Sequence, residues 1–479
     1  MQRVGEHYLK PANRVVGTFV PTAAPERAEI PPTPDFMAAL ESYRGGDGMR
    51  LGEAFDPSPQ NIEARVVRRS LSNGIRAALL PKKTRGGRVV ATLALHWGDE
   101  KSLTHREVAC SFAGEMLGRG TLQRTRAELK EALVKLNASV SLSGHGASLE
   151  VRRENLIPAL LLVAEALREP SFPAGEFEEM KRAALTGAES QKSDPAALAR
   201  VRLARHLQEY PVGHPRYTPS IDERIEWMRA AKLEDALACY RELYGATGAE
   251  FAAVGDFDAD EVSRAVDELF GPWKTPRPFE RVPARYFERP PYENALLTPD
   301  KANAVLRGGF DLPMRDDHPD FPALVLANGL IGGSSTARLT ERVREKEGLS
   351  YSTYTSFYAS SLDPTGAFRV HSIYAPQNRA RIEAAIREEL ERELREGFDA
   401  KEVEAGKQGV LQARRLSRTQ DRALAERLAA YLFVGRTFAW DVELESRIAA
   451  LSADELNAAL RRHLDAARLS LIFAGDFGK

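Results

Sequence analysis

Apolar and polar positions along the chain alternate in two registers. NGIRAALLP (73–81) and RVVATLALHW (88–97) are rich in β-formers and predict two strands of a hairpin, joined by the basic turn KKTRGG. A helical segment follows over 105–118. TRAE (125–128) then reads as a capping box, opening a helix with Leu129, Ala132, Leu133 and Leu136 on one face. NASVSLSGHGASLEVR (137–152) alternates as a strand pair. LIPALLLVAEALREP (156–170) predicts an apolar helix and EFEEMKRAALTGAESQKS a charged amphipathic one.

The same order recurs downstream. NAVLRGGFDL (303–312) reads as a strand, PALVLANGLIGG (322–333) as a helix, and GLSYSTYTSFYAS (348–359) and AFRVHSIYAP (367–376) as strands. Long helices rich in Ala, Arg, Glu and Leu come after them. FAAVGDFDA (251–259) and LIFAGDFGK (471–479) end the two blocks on the same Gly-Asp-Phe turn, which points to an internal duplication. Pro-rich polar stretches at 21–34, 55–60 and 275–291 read as linkers. The expected layout is an N-terminal arm and linker over 1–61, domains over 62–274 and 296–479, and a linker over 275–295. Strand meanders followed by runs of helices predict an α+β fold: two tandem similar domains, each a mainly antiparallel sheet with helices on one face.

Composition changes this picture little. The 479 residues, 43% hydrophobic, are enough for sizeable cores. A net charge of -1 gives no footprint for nucleic acid or an anionic membrane. No run of 18 apolar residues reads as a transmembrane helix, and the first residues show no secretory h-region. Cys110 and Cys239 do not make a disulfide framework, and Cys110, in an apolar helical run, reads as a small buried hydrophobe.

Familiar catalytic signatures are missing. No phosphate-binding loop, GxGxxG, GxSxG or HExxH occurs, and no two of the nine histidines stand at helical i, i+4 spacing. His105, near Glu107, and His145, in a Gly-flanked turn, read as surface or satisfied histidines.

One stretch is more specific. GGSSTARLTERVREKEGLSYSTYTSF (332–357) joins a Gly-Gly turn, an Arg-Leu helix, an REKEGL turn and an aromatic strand. It resembles the C-terminal half of insulinase/pitrilysin-type zinc metallopeptidases, the family with the inverted HxxEH motif. The block endings, NAS (137–139), SDP (193–195) and EYPVGHPRY (209–217) extend that resemblance over essentially 62–479.

In catalytic members HxxEH is closely followed by Met-Leu and Gly-Thr. Matching Met116-Leu117 and Gly120-Thr121 puts Ser111, Gly114 and Glu115 where the first His, the catalytic Glu and the second His stand. The third ligand, a Glu, falls at Thr186 or Gly187, with Glu189 the nearest acid. Zinc takes about three protein ligands, so the resemblance implies no metal and no general base in this chain. The family's Arg and Tyr, seven residues apart, match Arg344 and Tyr351. They are expected to reach a partner's active site in trans and stabilise the oxyanion. Asn137 and Ala138 are expected on the edge strand along which substrate backbone adds.

The expectation is a non-catalytic subunit or half of such a peptidase, inactive alone, pairing with an HxxEH-bearing partner that carries the zinc and binding peptide substrate. Its rival is a structural assembly subunit of the same fold, like the core proteins of the respiratory bc1 complex. An active peptidase with aberrant ligands is a more remote alternative. Residues 7–22 resemble the last strand of a preceding peptidase unit and its linker. The compartment is left open: cytoplasmic by default, periplasmic if the chain belongs to a longer secreted precursor.

Overall fold

A computed structural model describes residues 51–478 together with Val15 and Gly17. The expected strand at 7–22 and the Pro-rich linker at 21–34 lie outside the described residues.

In chain order, helix α1 (Pro59–Arg65) precedes strands β1 (Val67–Ser70), β2 (Arg76–Pro81) and β3 (Arg88–Ala94). Helices α2 (Glu107–Met116) and α3 (Arg126–Lys135) lead to β4 (Ser139–Ser143) and β5 (Gly146–Arg152). Six helices follow: α4 (Leu156–Arg168), α5 (Ala174–Ser190), α6 (Pro195–Leu207), α7 (Ile221–Ala230), α8 (Leu233–Leu243) and, after β6 (Glu250–Gly255), α9 (Ala259–Phe270). The second half runs β7 (Glu293–Leu297), β8 (Ala304–Leu312), α10 (Phe321–Ile331), β9 (Ser352–Ala359) and β10 (Gly366–Tyr374). It continues with α11 (Arg379–Glu396), α12 (Ala400–Ser417), α13 (Asp421–Val434), α14 (Ala439–Ala450), α15 (Ala453–His463) and β11 (Ser470–Gly475).

The strands form two mixed sheets, ordered β1-β2-β6-β3-β5-β4 and β7-β11-β8-β10-β9. Without β1 the two orders coincide. Each sheet holds one parallel pair, β2–β6 and β7–β11, and is otherwise antiparallel. The expected hairpin of 73–81 and 88–97 is therefore corrected: β6 lies between those two strands. Every residue of β6 is buried. A strand apolar on both faces belongs at a sheet's centre, so it displaces the local pairing. The basic turn between β2 and β3 instead reaches the end of β6, where Lys83 and Arg153 both pair with buried Asp256, at 3.0 and 2.7 Å. That pairing explains the aspartate of the first Gly-Asp-Phe ending.

Local chemistry sets several helix ends. Thr125 caps α3 with Glu128 in the expected box, and Ser220, Asp399 and Ser452 do the same for α7, α12 and α15.

One face of the first sheet packs on α2, α4, α5, α8 and α9 around Phe112, Phe177, Phe251 and Phe270. The matching face of the second packs on α10, α11 and α15. The opposite faces are partly covered as well, by helices exchanged between halves. From the second half, α13 sets Leu424, Ala425, Leu428 and Ala429 against Ala78, Leu80, Val90, Ala252 and Val254. From the first, α6 sets Ala199, Leu203 and Leu207 against Ile472 and Ala474. Residues 50–479 accordingly form one compact unit. The 275–291 linker is pinned to the second half by Arg281, which grips Asp363 with both terminal nitrogens at 2.6 and 2.7 Å.

Candidate functional site

Two places hold the residues singled out by the resemblance: α2, with Ser111, Gly114 and Glu115, and the turn into β9, with Arg344 and Tyr351.

On α2, Ser111 and Glu115 face a cavity of about 520 Å³ beside the edge strand β4. Gly114 is buried against the β4–β5 turn. A Cβ at Gly114 would stand 2.6 Å from the amide nitrogen of Gly144 and 2.8 Å from its Cα. A Cβ at Gly144 would stand 2.5 Å from the Tyr244 hydroxyl. The first pair of distances excludes any side chain at 114 without moving backbone, and the other excludes one at 144 unless the Tyr244 ring shifts. The contact is braced: Trp97 Nε1 donates to the Gly144 carbonyl at 2.6 Å, and Trp97 stacks on Tyr244 and His145. The Tyr244 hydroxyl donates to the Cys110 carbonyl at 3.3 Å; burial raises its pKa.

The sequence reading of the cysteines is corrected here. Cys110 on α2 and Cys239 on α8 form a disulfide, with Cα atoms 5.4 Å apart. Both are buried as expected. Their separation of 129 residues hides their proximity in the sequence.

The third-ligand region lies on α5. Gly187 has no atom near its missing Cβ, Thr186 donates to the Arg182 carbonyl, and Glu189 pairs with Arg229 at 2.6 Å. Ser111, Gly114 and Glu115 offer one carboxylate among them, a donor set that does not fit zinc. Among the described residues, one cluster has metal-ligand spacing: His318, Asp320 and His463, where α10 begins and α15 ends. Arg462 already grips both Asp320 oxygens at 2.8 and 3.0 Å and, with His463, holds that carboxyl below its usual range. His318 Nδ1 accepts the Asp320 amide. The cluster is an ion network locking two helix ends together.

Asn137 and Ala138 immediately precede β4 rather than lying in it. Asn137 takes a left-handed φ of 49° at the end of α3. Its amide donates to Val134 and that of Ala138 to Leu133, so both are committed to the helix terminus. β4 itself is the free edge of its sheet.

Arg344 sits in a π-helical turn, 341–346, and Tyr351 at the entry to β9, the last strand of the second sheet. Neighbours on both sides are fixed. Arg342 bonds Glu347 at 2.7 Å and Glu388 at 2.6 Å. Leu349 is buried with its amide on Val343, and the Ser350 hydroxyl donates to Ile373. Arg344 and Tyr351 emerge from this rigid frame. Tyr351 is 84% exposed, and the Arg344 guanidinium lies 4.8 Å from its ring centroid. Arg344 also meets exposed Glu345 at 3.1 Å.

Comparison with known proteins agrees with this geometry. Residues 230–410 match the family described as Peptidase M16 inactive domain. "Non-peptidase homolog YmxG" of Helicobacter pylori is 21% identical over 343 residues, 70% of this chain and 76% of that protein. "Uncharacterized zinc protease YmxG" of Bacillus subtilis is 23% identical over 308 residues, 62% of this chain and 71% of that protein. A peptidase M16 inactive domain from Pseudomonas fluorescens superposes with a TM-score of 0.75 at 21% identity, over 86% of this chain and 97% of that one. A Helicobacter pylori protease gives 0.72 at 15% identity, over 85% and 99%. The match to the peptidase M16 inactive domain covers residues 230–410, and the two solved structures share the fold of this chain.

Proposed function

We propose that the chain is a non-catalytic M16 subunit or half that pairs with a zinc-bearing HxxEH partner, lending Arg344 and Tyr351 to the peptide bond being cleaved. The observation that carries this reading is the Arg344–Tyr351 pair: a guanidinium stacked on a phenol that is 84% exposed, held by a well-bonded turn, with exposed Glu345 as the guanidinium's ion partner. A fixed cation and hydroxyl suit the oxyanion of zinc-assisted peptide hydrolysis. Ser111, Gly114 and Glu115 offer one carboxylate among them, and Gly144 backbone fills the space a carboxylate at 114 would need. The buried disulfide supports an oxidising compartment. Among the described residues no helix is long and apolar enough to cross a membrane.

The test is co-expression with the M16 peptidase bearing HxxEH from the same source. One complex on size exclusion, with zinc in the partner and peptide turnover absent from either chain alone, is expected. Tyr351→Phe should leave assembly intact and cut kcat. Assembly with kcat unchanged would favour the structural-subunit role.

A further inference from the structure

The face of the second sheet that receives α6 is only partly covered. Beyond the helix, between α6 and the strands β8, β10 and β9, lies a cavity of about 250 Å³. Cross-strand register builds its floor. Tyr354 stands opposite His371, and His371 opposite Arg307, so the three form one row across the sheet; Ser356 stands opposite Arg369 in the next. Arg200 of α6 lines the cavity from above.

The chemistry of these walls is one-sided. Three arginines line the cavity and no carboxylate does. Arg369 is committed, pairing with Asp311 and donating to the Phe310 carbonyl at 2.7 Å. Arg307 and Arg200 make no side-chain hydrogen bond or ion pair among the described residues, and Arg307 Nε is buried without an acceptor. His371 is 7% exposed, and its Nδ1 also lacks a partner. Burial, reinforced by Arg307, lowers its pKa to about 4, so near neutral pH the ring is uncharged. Buried donors left without acceptors are costly, and clustered guanidinium groups repel. An anion removes both penalties together.

The position fits a peptide as the anion's carrier. Tyr354 and Ser356 belong to β9, a strand whose outer edge is already hydrogen-bonded at Thr353 and Thr355, to Thr340 and Gly332. It begins immediately after Tyr351, which the reading above places at the bound peptide. We infer that the Arg200–Arg307 cavity is a subsite for carboxylate groups of a bound peptide, giving the chain a preference for acidic segments. This rests on the peptide-binding reading above.

The test is calorimetric titration of the full chain at low salt with three titrants: a short end-capped peptide with two adjacent glutamates, its glutamine twin, and inorganic phosphate. The glutamate peptide should bind about tenfold or more tighter than its twin, as one desolvated charge-assisted contact permits, and the advantage should shrink with added salt. Arg307→Gln and Arg200→Gln should each abolish most of that advantage while leaving the glutamine twin unaffected. Arg200 is exposed on its helix, so its variant keeps the fold. Retention of the preference in Arg200→Gln overturns the inference, whatever Arg307→Gln does. Equal binding of the twins, or no binding of either, also overturns it. Phosphate binding lost in both variants while glutamate-peptide binding persists would assign the cavity to a small anion instead. Twins that bind equally would leave the role of Tyr351 in turnover intact.

Discussion

Gly114 and Gly144 approach so closely that a Cβ on the first would lie 2.6 Å from the amide nitrogen of the second. At 114, therefore, the neighbouring turn occupies the space that any side chain would need. Restoring the motif by Ser111→His, Gly114→Glu and Glu115→His together should fail. The glutamate has to displace the β4–β5 turn, at a cost of about 1–3 kcal/mol for overpacking, and the third ligand is still missing. Metal analysis after dialysis should find no stoichiometric zinc and thermal unfolding a lower midpoint. One tightly held zinc per chain would show that the turn yields.

Arg344→Lys keeps the charge but loses the planar group that lies over Tyr351. Both side chains project from a turn fixed by others, so stability should change by no more than about 0.5 kcal/mol in Arg344→Lys or Tyr351→Phe. In the assembled peptidase each should lower kcat by about 10²–10³, as loss of one oxyanion donor does. KM should move little, since the donors act where negative charge develops. Steady-state kinetics on the complex decides this. A raised KM at constant kcat would make the pair a ground-state anchor.

The Cys110–Cys239 bond closes a loop of 129 residues between α2 and α8. Replacing both cysteines with alanine should cost about 2–4 kcal/mol, read as a lower denaturant midpoint. Both sulfurs are buried, so the folded protein should resist mild reductant while the unfolded chain does not. Two titratable thiols in denaturant without reductant would contradict the bond.

Glu393 of α11 gives a prediction in pH. It is 1% exposed, neither carboxyl oxygen has a partner, and Phe310, Phe368, Leu390 and Leu460 share its pocket. Burial first, then the Glu389 carboxylate, raises its pKa well above 4.5, against the opposing pull of Arg338 and Arg392. With the folded pKa above the unfolded one, this contribution to stability is complete below about 4.5. It is lost as pH rises toward the folded value, each unit of the gap being worth about 1.4 kcal/mol. Glu393→Gln removes the ionisation. Melting curves from pH 5 to 8 should show the variant gaining on the native protein as pH rises; parallel curves would mean the carboxyl is solvated.

Much of the fold was legible because its signals are local. The Thr125–Glu128 cap, the alternation of 137–152, the apolar run of 156–168 and the repeated Gly-Asp-Phe strand each depend on neighbours within a few residues. What escaped is nonlocal. Strand β6 enters between β2 and β3 from more than a hundred and fifty residues downstream. The cysteines sit on helices brought together only by the sheet. At the site, the family resemblance singled out Ser111, Gly114, Glu115, Arg344 and Tyr351, but Gly144 reads as an ordinary turn glycine until it is seen against Gly114. The row of Tyr354, His371 and Arg307 exists only in the register of three strands.

The exchange of α6 and α13 has a mechanical consequence. Severing the chain in the 275–291 linker would not release two working modules, because each fragment would carry away the cover of the other's sheet. The duplicated halves are clasped together and should unfold in one step rather than domain by domain.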